Sequence, residues 1–172
     1  AISACEKGGK WERALSLLDE MRERGATPNV ISFSAAISAC EKGGKWERAL
    51  SLLDEMRERG VTPDVISFNA AISACEKGGK WERALSLLDE MRERGVTPDV
   101  ISFSAAISAC EKGGKWERAL SLLDEMRERG ATPNVISFSA AISACEKGGK
   151  WERALSLLDE MRERGVTPDV IS

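Results

Sequence analysis

The residues of this chain that could carry selective chemistry are the few that change. A 35-residue unit recurs almost verbatim, its stretch AISACEKGGKWERALSLLDEMRERG beginning at Ala1, Ala36, Ala71, Ala106 and Ala141. Against that background one place alternates between serine and asparagine (Ser34, Asn69, Ser104, Ser139). A second alternates between asparagine and aspartate (Asn29, Asp64, Asp99, Asn134, Asp169). A third, Ala26, Val61, Val96, Ala131 and Val166, moves in step with the Asn/Asp change and reads as its passenger. An ionised aspartate only accepts hydrogen bonds, whereas an asparagine both donates and accepts. These swaps therefore alter what a polar partner must offer, which is the chemistry of recognition rather than of bond cleavage. Asn and Asp are also both good helix N-caps, but stability alone gives no reason to vary these places while every other is fixed.

The other reactive side chains point away from catalysis and metal binding. The chain has no histidine, so histidine-dependent triads and zinc sites of the His/Cys kind are excluded. The five cysteines, Cys5, Cys40, Cys75, Cys110 and Cys145, recur once per unit. Packed helices lie about 8–10 Å apart, and a disulfide needs Cα atoms within about 7 Å. The cysteines are therefore expected as small buried thiols, with no cofactor, no metal and no enzymatic activity. A formal net charge of −3 is unusual for a binder of nucleic acid. No apolar run is long enough for a membrane span, and no targeting segment is evident. The chain begins and ends within a unit and reads as part of something longer. Letter-for-letter copies point to a designed consensus array.

The elements that must position the varying residues are two helices per unit. Phe33, Ala36, Ile37 and Cys40 fall at i, i+3, i+4 and i+7 and make one apolar stripe, with Asp64 and its counterparts as N-caps of such helices. Gly43 and Gly44 break the first helix. A second runs from about Trp46 to Arg59 and closes at Gly60 in the C′ position. Its apolar side (Trp46, Ala49, Leu50, Leu52, Leu53 and Met56) is wide enough to meet its own partner helix and a neighbouring unit together. Asp54, Glu55, Arg57, Glu58 and Arg59 read as a solvated charge face with a Glu55–Arg59 i,i+4 pair. The tryptophans could stack on bases, but their place on the apolar stripe favours core packing. One helix pair cannot bury so much surface alone, so the pairs must stack. The fold class is all-α, an α-solenoid of stacked antiparallel helix pairs. Opposite the Phe33 stripe lies a line of Ile31, Ser34, Ser38, Glu41 and Lys42, expected to form a small polar surface along the stack.

The unit VISFNAAISACEKGGKWERALSLLDEMRERGVTPD resembles a pentatricopeptide repeat of the pure 35-residue type. The resemblance covers a truncated repeat at 1–29, full repeats at 30–64, 65–99, 100–134 and 135–169, and the start of another at 170–172. It implies a right-handed superhelix that binds single-stranded RNA, one base per repeat, 5′ to 3′ along the chain. The family is found mostly in chloroplasts and mitochondria; the compartment of this chain stays open. The base-reading places implied are the fifth and the last of each repeat, here the places that vary: Asn29, Ser34, Asp64, Asn69, Asp99, Ser104, Asn134, Ser139 and Asp169. The base-clamping place falls on Ile31, Ile66, Ile101, Ile136 and Ile171, where valine is more usual. A phosphate contact falls on Lys7, Lys42, Lys77, Lys112 and Lys147, with Glu41 and its copies beside them.

Hydrogen-bond chemistry agrees with that implication. The ring nitrogen of G and U is a donor and suits Asp, while that of A and C is an acceptor and suits Asn. Short Ser leaves room for a purine, and Asn fills space toward a pyrimidine. Ser34/Asp64 then reads G, Asn69/Asp99 U, Ser104/Asn134 A and Ser139/Asp169 G, while Asn29 alone says A or C. The expected target is 5′-(A/C)GUAG-3′ in single-stranded RNA, with single-stranded DNA not separated from it. Lys42 and Lys45 are expected to leave the groove mildly positive. A tetratricopeptide-like protein-binding solenoid and a bare structural scaffold are the rival readings. Neither end shows a polar capping helix, so copies are expected to stack end to end.

Overall fold

The computed structural model describes residues 1–166, and these form ten helices with no strand among them. After a short α1 (Ile2–Lys7) and α2 (Trp11–Glu23), the helices come in pairs: α3 (Val30–Lys42) with α4 (Trp46–Glu58), and α5 (Val65–Lys77) with α6 (Trp81–Glu93). α7 (Val100–Lys112) pairs with α8 (Trp116–Glu128), and α9 (Val135–Lys147) with α10 (Trp151–Glu163). Among the described residues no helix is long and apolar enough to cross a membrane.

The apolar stripes become the core as their spacing requires. Phe33, Ala36, Ile37 and Cys40 are fully buried, as are Ala49 and Met56, with Leu50, Leu52 and Leu53 close to it. The five cysteines are free and buried, and burial pushes the Cys40, Cys75 and Cys110 thiols up to about 11, Arg48, Arg83 and Arg118 offsetting part of the shift. They are inert packing residues at neutral pH. Each second helix closes in a Schellman motif: in α4 the Gly60 N–H donates to the Arg57 carbonyl and the Val61 N–H to that of Met56. Gly60 takes φ +73°, which only glycine adopts at little cost. Val61 occupies the position whose side chain packs back on the helix in that motif, and it does lie against the core. The alanine/valine variation thus falls on a helix-closing contact.

The two glycines between paired helices have different tasks. Gly44 makes the turn with φ +71°. Gly43 has an ordinary backbone, but a Cβ there would stand 2.5 Å from Cδ1 of Trp11. Trp11, Trp46, Trp81 and Trp116 each lie half-buried over the glycine of the following repeat and under its lysine: Lys45 Nζ is 5.2 Å from the Trp11 ring centre and Lys80 Nζ 5.2 Å from that of Trp46. The tryptophans are thus packing residues, as expected, but they seal joints between repeats rather than fill the core. Where no described repeat follows, Trp151 is 65% exposed.

Each second helix packs on its own partner and on the next first helix, α4 on α3 and on α5. Successive first helices also pack on one another (α1, α3, α5, α7, α9), whereas no such backbone contact joins successive second helices among the described residues. A stack that is tight on one side and splayed on the other curves. The first helices, with the varying residues near their starts, therefore line the inside.

The charge face of the second helices is less solvated than expected. Arg57 leaves only 21% of its side chain exposed, because its guanidinium bridges Asp54 of its own helix and, at 2.7 Å, Glu90 of the next repeat. Glu55 receives Arg59 at 3.1 Å, the anticipated i,i+4 pair, and also Arg22 of the preceding repeat at 2.7 Å. The long arginine stem can span two splayed helices, a reach that helical periodicity does not reveal.

Candidate functional site

The two varying places meet across two of the joints although they lie 30 residues apart: Asn69 Nδ2 donates to Asp99 Oδ1 at 3.0 Å, and Ser104 Oγ lies 3.5 Å from Asn134 Oδ1, whereas Ser34 Oγ and Ser139 Oγ have no hydrogen-bond partner among the described residues. The packing of first helices explains the meeting. The last residue of a repeat is the N-cap of the next first helix, and the fifth residue sits one turn inside the preceding one. Helices stacked side by side bring these two levels together.

The cap decides which atom remains for a partner. Asn29, Asp64, Asp99 and Asn134 are all N-caps in extended backbone, their side chains accepting from the N–H of Ser32, Ser67, Ser102 and Ser137. In every case the acceptor is Oδ1, at 2.9–3.0 Å. What remains is Oδ2 in the aspartates and Nδ2 in the asparagines. An acceptor is thus exchanged for a donor while the helix start stays the same. The N-cap reading and the recognition reading of these residues are compatible, because they use different atoms.

Asp99 is held in its acceptor form. Burial alone would raise its carboxyl, but the Ser102 N–H, the Asn69 amide and the Ile101 backbone outweigh that effect and set its pKa below the ordinary value. It is ionised at neutral pH.

The fifth-place residues are less open than the sequence suggests. Ser34, Asn69 and Ser104 retain only 7%, 8% and 5% exposure, and Ser139 is half-buried. The line expected to be a polar surface is instead a seam, because the flank of one first helix faces the flank of the next. Its isoleucines stand out most: Ile31, Ile66, Ile101 and Ile136 are 59–68% exposed, and the lysines at its far end are exposed as well. Each isoleucine lies three residues before a fifth-place residue, one helical turn away on the same face. Asp169 and Ile171 lie outside the described residues.

The lysines are less free than expected. Lys42, Lys77, Lys112 and Lys147 each pair with a glutamate of the preceding repeat: Glu6 at 3.8 Å, Glu41 and Glu76 at 2.6 Å, and Glu111. Lys7 is exposed. Lys45, expected to add charge to the groove, stands over Trp11. The positive potential expected along the stack is therefore largely compensated within the protein. Two sets of site residues were not anticipated. The pairing glutamates were visible only as neighbours of the lysines in sequence. The serines three places after each cap have a clear signal, the spacing of a capping box, and in α5, α7 and α9 the reciprocal bonds are present.

A cluster of three or more His, Cys, Asp or Glu able to hold a metal ion is absent among the described residues. Helix pairs stacked at a fixed period define a modular α-solenoid. The family model of the pentatricopeptide repeat domain matches residues 1–45, 16–78, 51–113, 86–148 and 121–172, so the chain belongs to that family. A crystal structure of the pentatricopeptide repeat protein PPR10 in complex with an 18-nt psaJ RNA element is similar, with TM-score 0.83 and 32% identity over 98% of this chain and 25% of that one. PPR10 from maize gives TM-score 0.79 and 30% identity over 99% and 24% of the two chains. The present chain thus spans about a quarter of the length of PPR10. The PPR domain of Arabidopsis thaliana protein-only RNase P 1, solved in complex with tRNA, shares the fold with TM-score 0.85 at 18% identity, over 98% of this chain and 89% of that one. No curated protein matches the chain in sequence.

Proposed function

We propose that this array binds single-stranded RNA one base per repeat, without catalysing a reaction, and that its target is 5′-(A/C)GUAG-3′. The observation that carries the reading is the meeting of the two varying places, Asn69 Nδ2 on Asp99 Oδ1, at the start of a first helix. Polar variation confined to two places that can touch, in repeats otherwise nearly alike, is what a readout of successive different partners requires. The complex of PPR10 with an RNA element supports the choice of ligand. Asp99 accepts the uracil ring N–H, and Asn69 narrows the site for a pyrimidine. Asp64 with Ser34 takes G, Asn134 with Ser104 takes A, Asp169 with Ser139 takes G, and Asn29 takes A or C. Ile31, Ile66, Ile101, Ile136 and Ile171 replace base stacking by holding each unstacked base between successive repeats. Lys7, Lys42, Lys77, Lys112 and Lys147 face phosphates, the last four with their charge partly spent on glutamates.

The test is a set of affinities for four short RNAs that differ only at the base assigned to Asn69/Asp99. U is expected to be preferred by about 1–3 kcal/mol, or roughly 5- to 150-fold. Equal affinity for all four sinks the reading.

A further inference from the structure

The serine three places after each cap supports that cap in every described repeat, but at one joint it does more. Ser67 Oγ lies 2.7 Å from Asp64 Oδ1, and Ser137 Oγ lies 3.0 Å from the Asn134 carbonyl oxygen, both within their own helix start. Ser102 Oγ instead reaches across the joint to Asn69 Oδ1, closer than its 3.0 Å separation from Asp99 Oδ1. A hydroxyl carries one proton. The Asp99 N–H already donates to Ser102 Oγ at 3.0 Å, so the serine's own proton is left for the nearer acceptor, Asn69. With its oxygen held there, the Asn69 amide turns its NH₂ to Asp99 Oδ1. Ser102 is fully buried, so its hydroxyl has no water to satisfy it instead.

We infer that Ser102 is a positioning residue for base selection: through Asn69 it fixes which end of the amide faces Asp99, and hence the pattern shown to a base. The inference rests on the one-base-per-repeat reading. In the fixed orientation one Asn69 N–H is spent on Asp99 and the second remains a donor. It stands beside an Asp99 carboxylate whose Oδ2 accepts. Donor next to acceptor complements uracil, whose ring N–H adjoins a carbonyl. Cytosine presents a ring acceptor and an amino donor in those places and is mismatched twice. Asn69 is then a second hydrogen-bonding group, in addition to filling space.

The experiment compares affinities for U and C at this position on wild type, Ser102→Ala, Asn69→Ser and the double variant. Ser102→Ala is expected to narrow the U-to-C ratio about fivefold, the effect of one net hydrogen bond. In the Asn69→Ser background the same change should leave the ratio unaltered, because the residue through which Ser102 acts is gone. Ser137→Ala removes an equivalent capping box and should lower the melting temperature comparably while keeping the preference for A at its own joint. If Ser102→Ala melts below the assay temperature, Ser102→Cys replaces it, since a thiol donates only weakly, and the same narrowing is expected. A wild type that prefers U, beside a Ser102 variant with an unchanged ratio, overturns the inference alone. A wild type indifferent to the base brings down the one-base reading and this inference with it.

Discussion

At the residue scale the structure separates two tasks within one side chain. Oδ1 of Asp99 starts a helix and Oδ2 is available to a ligand, so Asp99→Asn should keep the fold and reverse the polarity shown. The expected outcome is a shift of that single position from U toward C, and Asn69→Ser should shift it toward G. Flanking positions keep their preferences, and competition binding with RNAs varied at each base checks all three statements. Acid offers an independent test. The folded Asp99 carboxyl titrates below its ordinary value of 3.8, so its hydrogen bonds stabilise the joint above the unfolded pKa. That stabilisation is lost as pH falls through the folded pKa. The difference in melting temperature between wild type and Asp99→Asn should be constant above about pH 5 and change only in stronger acid. A difference that already changes near pH 6 would mean that Asp99 is not held in this network.

At the element scale the Trp–Gly contact sets how closely one repeat lies on the next. Gly113→Ala would place a Cβ 2.5 Å from Cδ1 of Trp81 without straining the backbone. Overpacking of this kind costs about 1–3 kcal/mol. Trp81→Ala should cost roughly 2–3 kcal/mol, less than a fully buried aromatic, and should relieve most of the cost of Gly113→Ala. Thermal or urea unfolding of the two single variants and the double variant measures that coupling. RNA preference should survive wherever the variant stays folded, since Trp81 follows the C-terminal end of α5, and Asn69 lies eight residues before that end at Lys77, about 12 Å along the axis. The helices themselves were legible in the sequence: Phe33, Ala36, Ile37 and Cys40 announced the stripe of the first helix, Gly43 and Gly44 its stop, and Gly60 the stop of the second. What lay beyond periodicity was contact between repeats. Nothing local to Gly43 says that Trp11 needs its missing side chain, and nothing local to Ser34 says that a neighbouring helix covers it. Lys42 looked free because Glu6, which pairs with it, lies a whole repeat away.

At the scale of the whole molecule, ion pairs run along both sets of helices. Lys77 with Glu41 and Lys112 with Glu76 link the first helices, and Arg57 with Glu90 and Arg92 with Glu125 link the second. A phosphate approaching a lysine must compete with a carboxylate already in place. RNA affinity should therefore depend only weakly on salt, despite the row of lysines. Replacing Glu41, Glu76 and Glu111 together by glutamine should steepen the slope of log K against log salt by up to about 0.7 for each lysine released. Titrations at several salt concentrations test this, and an unchanged slope would exclude the lysines from phosphate contact.

The capping bonds carry one more consequence. Because the last residue of each repeat must begin the next helix, only side chains able to do so can stand there. The vocabulary in which such an array can be rewritten is bounded by folding before it is bounded by recognition. Asparagine and aspartate are two of the few words that folding admits there, and the proposed code uses both. A reader of new sequences is therefore obtained more readily by reordering existing repeats than by inventing new letters within one.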